Sequence, residues 1–196
     1  YKDSTIAGKP GGYPCDFTLY KLEGGGTEEP GPSDPEAPIA DGEEVVIYNP
    51  AYGKALSGTY SGYYNEGTDV TVEGDGTLSG YSASDVWTVI DNGDGTWSFS
   101  YDGQNIGMGD DYTSMPLGEK NDKWELVEAE DGLWYVRNTV RNSYMEYQDN
   151  FGTWSAYHTI ASGSEGMFAL AFYKAEGEEP GPSDPEAPIA DGEEVV

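Results

Sequence analysis

Nineteen residues, EEPGPSDPEAPIADGEEVV, fill positions 28–46 and recur without a change 150 residues later, at 178–196. A period of that length is the size of a whole domain and far too long for a solenoid repeat. The folding unit must therefore close on itself within one period. The repeated phrase has two parts. EEPGPSDPEAP is acidic and proline-rich with almost nothing to bury, so it reads as an extended spacer. IADGEEVV is a tight turn running into a strand. The chain then divides: 23–38 and 175–188 are linkers, 39–174 are one complete module, and 189–196 are the first strand of a following copy. Residues 1–22 are the end of a preceding, diverged module. YKDSTIAGKPGGYPCDFTLYKLE shares with YHTIASGSEGMFALAFYKAE a TIA and a closing aromatic run ending in YK. A lone strand carries unpaired N–H and C=O groups, so the terminal strands are expected to pair with something, and homo-assembly through them follows.

Between the linkers, helical periodicity is hard to find. The bursts VVIYN, WTVI, WSFSY, WELVE, WYVRN, YMEY and FALAFYK are rich in β-branched and aromatic residues and bounded by turn residues. They read as strands, and the module as all-β. Asp41-Gly42, Asp94-Gly95 and Asp131-Gly132 each lead within two or three residues into a strand. Asp-Gly suits a tight turn because glycine accepts positive φ. Setting Val45, Trp97 and Trp134 as equivalent puts Ile47, Phe99 and Val136 on one face, two residues on. The return strands in PAYGKALSG, DGQNIGMG and TVRNSYMEY bring Leu56, Ile106 and Tyr144 into register. Each unit closes on a large aromatic: Trp87 in DVWTV, Trp124 in DKWEL and Phe168 in GMFAL. Three such units make one pseudo-threefold module.

These units resemble the β-trefoil of the ricin-B-type lectin-like group. IYNPAYGKALSG is similar to that family's opening strand and its G-K-x-L return, and DVW and DKW resemble degenerate forms of its recurring Q-x-W. The resemblance covers residues 39–174. It implies a twelve-stranded trefoil with up to three shallow carbohydrate sites; another small β-barrel or sandwich is the alternative architecture. The module also looks like tandem repeats of large secreted bacterial surface proteins, which implies a secreted or cell-surface location. The sequence departs from the family in lacking glutamine at all three Q-x-W positions. Ser57, Met108 and Glu146 stand near where the family carries an aspartate.

Sugar binding needs an aromatic face for the apolar side of a pyranose, with carboxylates and amides for its hydroxyls. Two loops offer this. GTYSGYYNEGTD supplies Tyr60, Tyr63, Tyr64, Asn65 and Asp69, and YQDNFGTWSAYH supplies Asp149, Asn150, Phe151, Trp154, Tyr157 and His158. Trp154, following the loop-like DNFGT, is the expected ligand platform. The corresponding middle loop has only Tyr112. Trp87, Trp97, Trp124 and Trp134 sit at strand positions and are expected in the core.

Charge narrows the partners. There are 37 acidic residues against 9 basic ones, a formal charge of −28. Nucleic acid and anionic membrane both want a basic face, so neither is an expected partner. No apolar run approaches the roughly 18 residues of a membrane span. The single cysteine, Cys15, rules out an internal disulfide framework. His158 is the only histidine, no carboxylate pair is singled out by its spacing, and no glycine loop carries a phosphate-binding lysine. A non-enzyme is expected. Asp91 with Asp94, Asp110 with Asp111, and Glu128 with Glu130 and Asp131 lack calcium-loop spacing and read as solvated turns. No cofactor is expected; calcium (Ca2+) is the one that the acid content would suit. The function that follows is a non-catalytic carbohydrate-binding or adhesive repeat, its partners glycans or neighbouring copies of the module. The alternative is a structural spacer or filament-forming repeat with no ligand.

Overall fold

The structure, a computed structural model, describes residues 37–175. The terminal segments expected at 1–22 and 189–196, most of both linkers, and the homo-assembly expected of the terminal strands lie outside the described residues.

The first unit holds β1 (Glu44–Asn49), β2 (Lys54–Ser61), β3 (Tyr64–Asp69), the short β4 (Thr71–Val72) and β5 (Leu78–Ser79), and β6 (Val86–Asp91). The second holds β7 (Trp97–Tyr101), β8 (Gln104–Asn105) and β9 (Trp124–Glu128). The third holds β10 (Trp134–Asn138), β11 (Tyr144–Gln148), β12 (Thr153–Tyr157), the one-turn helix α1 (Glu165–Phe168) and β13 (Ala171–Lys174). β1 pairs antiparallel with β6, β6 with β7, β7 with β9, β9 with β10, and β13 returns to β1. Trp134 and Leu170 bridge the remaining gap, each N–H donating to the other's carbonyl at 2.8 and 2.9 Å. The ring of six strands has no open edge. Hairpins β2–β3 and β11–β12, and an irregular one bridging Ile106 to Leu117 and Met108 to Asn121, form the cap. A six-stranded barrel with three capping hairpins is a β-trefoil.

Strand pairing fixes the threefold register. Val45 faces Trp87, Trp97 faces Trp124, and Trp134 faces Leu170. Val45, Trp97 and Trp134 are thus equivalent, and Ile47, Phe99 and Val136 are all fully buried. Two expected members are displaced. Tyr48 faces Ala55, Ser100 faces Asn105 and Arg137 faces Tyr144, so the partner of Leu56 and Ile106 is Met145, not Tyr144. Because side chains alternate, a slip of one residue exchanges the two faces of a strand: Met145 is buried and Tyr144 only half-buried. Leu170, not Phe168, takes the place of Trp87 and Trp124, since the turn of α1 delays the closing strand. The buried Trp87 and Trp124 indoles donate to the carbonyls of Leu56 (2.9 Å) and Ile106 (3.0 Å), tying each closing strand to its own hairpin.

The acids of the Asp91–Asp94 turn are occupied. Asp91 Oδ1 accepts the Gly93 N–H at 2.7 Å. Asp94 accepts the Thr96 N–H and hydroxyl through one oxygen, and Lys123 Nζ through the other at 2.7 Å. Among the described residues no group of three or more His, Cys, Asp or Glu is arranged to hold a metal. The Lys123 ammonium, with the Thr96 hydroxyl, lowers the Asp94 pKa to about 2. A carboxyl held below its ordinary range stabilises the fold above that range, and the contribution fades as pH falls towards the folded value. Asp94→Asn is expected to melt below the wild type at about pH 6, with the gap narrowing below about pH 4 and closing near pH 2. Thermal melts across pH check this; a gap that ignores pH would remove Lys123–Asp94 as its source.

Candidate functional site

Strand β11 reads YMEYQ. Met145 and Tyr147 turn inward, leaving Glu146 and Gln148 on the other face. Across the ladder Glu146 faces Ser155 and Gln148 faces Thr153. Glu146 is only 2% exposed. Its Oε1 accepts the Ser155 hydroxyl at 2.8 Å and the Gln148 amide at 2.5 Å. Among the described residues no donor reaches its other oxygen, and no Lys or Arg pairs with it.

Pairing of β12 with β3, Trp154 opposite Asn65 and Thr153 opposite Glu66, joins the third hairpin to the first. The second joins through Thr113, whose carbonyl accepts the Ala156 N–H at 2.8 Å and whose hydroxyl lies 3.4 Å from the Tyr64 hydroxyl. Leu117 N–H donates to the Tyr60 hydroxyl at 2.6 Å. Where the three hairpins meet there is a concavity of about 350 Å³, lined by Ser61, Tyr64, Thr113, Gln148, Phe151, Thr153 and Ser155. Glu146 backs it through its bonds to Ser155 and Gln148. A larger trough of about 900 Å³ lies over the barrel wall beside Glu44, Tyr81, Ser82, Thr88, Ser100 and Asp102. The buried acid on its flank, Asp85, already accepts from the Ser82 N–H, the Ser82 hydroxyl and the Thr68 hydroxyl. The smaller concavity is the better candidate, because its buried acid keeps an oxygen free.

Two of the residues expected at a sugar site belong to the interior. Trp154 is fully buried. The loop-like run ends at Gly152, and Trp154 points inward from β12 between Thr153 and Ser155. Its indole donates to the Ala55 carbonyl at 3.1 Å and packs edge-on against Tyr147 with ring centroids 5.7 Å apart. It is a core residue and not a ligand platform. Asn65, opposite it, is also fully buried and donates to the Ser57 carbonyl at 3.0 Å. Tyr60 is partly exposed; burial raises its phenol pKa, and the bond from the Leu117 amide pulls the other way. Tyr63 is exposed on the first hairpin turn, and Asp149 and Asn150 on the third. Tyr157 is 42% exposed, lies tilted against His158 with ring centroids 4.5 Å apart, and does not line the concavity. Of the residues expected from the two loops, Tyr64 and Phe151 line it. Gln148, Ser155 and Thr113 escaped sequence reasoning; alternation places Gln148 and Glu146 outward only once strand pairing turns Met145 inward. The ladder aligns Ser57, Gly107 and Glu146, so Met108 falls one residue beyond that register and is buried. Glu146 alone keeps an acid there.

No protein-family model and no curated protein sequence matches the chain. Solved structures share its fold. The BEL β-trefoil superposes with a TM-score of 0.55 at 8% identity, over 70% of this chain and 96% of that one. A ricin B-like lectin of Macrolepiota procera, solved in complex with lactose, gives 0.53 at 13% identity over 70% and 99%. A GlcNAcα1-4Gal-releasing endo-β-galactosidase from Clostridium perfringens gives 0.54 at 15% identity over 68% of this chain. The match spans 33% of that enzyme's length. The common fold is the β-trefoil.

Proposed function

We propose that residues 37–175 are a non-catalytic carbohydrate-binding module, with its site in the concavity where the three hairpins meet. The observation that carries this reading is Glu146. A carboxylate so buried, with one oxygen fixed by Ser155 and Gln148 and the other unused, is a preorganised acceptor for hydroxyl donors. The Gln148 amide and the hydroxyls of Ser61, Thr113, Thr153 and Ser155 supply further partners, and the rings of Tyr64 and Phe151 supply apolar faces. No carboxylate is among the residues lining the concavity, and with Glu146 behind it the site has no acid pair of the kind that glycoside cleavage uses. A shallow site of this kind binds weakly, and repetition along a chain raises its effective affinity. The identical phrase at 28–46 and 178–196 supports such repetition, and a secreted or surface protein is the setting we propose for it.

The test is an NMR titration of the full chain with neutral mono- and disaccharides, lactose among them, at millimolar concentration. Shifts should centre on Glu146, Gln148 and Ser155, and Gln148→Ala should weaken the strongest binder by about tenfold, the worth of one charge-linked hydrogen bond. A panel without a binder, or a binder indifferent to Gln148→Ala, would refute the assignment.

A further inference from the structure

Among the described residues, the three most exposed large apolar side chains are Tyr63 at 85%, Phe151 at 76% and Tyr112 at 72%. They are not scattered. Leu56 pairs with Gly67, Ile106 with Leu117 and Met145 with Ala156, which sets the three hairpins in common register. Tyr112 and Phe151 then occupy the same position, five residues before Leu117 and Ala156. Tyr63 stands one step away, four residues before Gly67. Each hairpin tip thus carries one bare aromatic ring. Phe151 lines the shared concavity itself; Tyr63 and Tyr112 are the chain neighbours of Tyr64 and Thr113, which also line it. Nothing in the packing requires rings so exposed, and leaving each in water forgoes the stabilisation that burial would bring.

What separates these rings identifies the kind of partner. Between them are hydroxyls and an amide, and beside them Asp110, Asp111 and Asp149. The core of a protein–protein interface is a continuous apolar patch with few charges, which this face is not. A second copy would bring the same acids face to face, on a chain of formal charge −28. An anionic polysaccharide meets the same repulsion. An uncharged sugar chain has the matching pattern, since its rings present apolar C–H faces in series with hydroxyls between. Resting on the carbohydrate-binding reading above, we infer that the ligand is an extended, uncharged glycan that crosses the cap. One sugar sits in the concavity, and its neighbours along the chain stack on Tyr63, Tyr112 and Phe151.

Affinity electrophoresis of the full chain tests this, in native gels holding galactan, galactomannan, arabinoxylan or mixed-linkage β-glucan, with polygalacturonate and hyaluronan as anionic controls. The wild type should be retarded by at least one uncharged polymer and by neither anionic one. Its affinity for that polymer, per disaccharide unit, should exceed that for the free disaccharide by about tenfold or more. Each single variant, Tyr63→Ser, Tyr112→Ser or Phe151→Ser, should weaken retention roughly two- to tenfold, the range for one stacked ring. The triple variant should run as in a polymer-free gel with an unchanged melting temperature. Retention of the triple variant, equal affinity for polymer and disaccharide, or no retention of the wild type overturns the inference. If a disaccharide still binds at Gln148, the inference fails and the proposed function stands; if no sugar binds at all, both fail. Sedimentation velocity covers the remaining case: a wild-type dimer dissolved by the triple variant would make the cap a copy interface and overturn the glycan assignment.

Discussion

Trp154→Ala will lower the stability of the module by about 3–5 kcal/mol, a fall of roughly 10–20 °C in Tm. Trp154 is fully buried, faces Asn65 across the β12–β3 ladder, and occupies the position that Met115 takes in the second hairpin. Its ring packs on Tyr147, and Gly67, which lies close to both rings, has no side chain to move into the space. Truncation therefore leaves a cavity where the hairpins meet and also removes the bond to Ala55. Trp154→Phe keeps most of the volume and loses the hydrogen bond, so it should cost about 1–3 kcal/mol. Urea denaturation of both variants measures these values. A Trp154→Ala protein that unfolds with the wild type, while a sugar no longer binds, would return Trp154 to the surface and refute its place in the core.

The architecture was legible because its signals are local. Three Asp-Gly turns each announce a strand, and WSFSY, WELVE and WYVRN are bounded in the structure where composition bounds them in the sequence. The errors came where a short pattern supports two registers. TWSAY has one large residue inside five, and its preceding turn is real, so a tryptophan one strand position beyond that turn looks like part of it. YMEYQ alternates large residues on both faces, and only the pairing of Arg137 with Tyr144 decides that Met145 points inward. FALAFYK reads as one strand, but its first residue ends a helical turn.

The candidate site was legible only in pieces, and for a different reason. Tyr64, Thr113, Gln148 and Ser155 come from three hairpins, and they share a wall because β3 pairs with β12 and Thr113 caps Ala156. Those contacts span long stretches of chain and leave no mark in any short segment. Composition favoured aromatic residues as sugar platforms. The fold instead spends Trp154 on its own axis and leaves the polar face of β11 and β12 to form the concavity.

Gly58→Ala should destabilise the module by about 1–3 kcal/mol, against the local expectation for a glycine in a strand. Glycine within a strand ordinarily costs about 0.5–1 kcal/mol relative to alanine, so filling it would normally help. Here tertiary packing reverses the sign. Leu56 faces Gly67 and Tyr60 faces Asn65, so β2 bulges between them, and Gly58 lies in the bulge. A Cβ at Gly58 would stand 2.3, 2.5 and 2.7 Å from three atoms of the Tyr101 ring. That ring cannot simply withdraw, since its other contacts include Trp87, with centroids 5.9 Å apart. Tyr101 ends β7, at the position that Asn49 and Asn138 hold in the other units. Those asparagines use their amides to hold neighbouring carbonyls. The second unit uses a ring laid on the first unit's hairpin, and Gly58 is what makes room for it. A double-mutant cycle isolates this contact. Tyr101→Ala should be costly alone, yet the double variant should be less destabilised than the two single losses added together, with a coupling of about 1 kcal/mol or more. Thermal denaturation of the four proteins reads it out. A Gly58→Ala protein that melts above the wild type, or a cycle whose effects simply add, would show that Tyr101 does not set the residue at position 58.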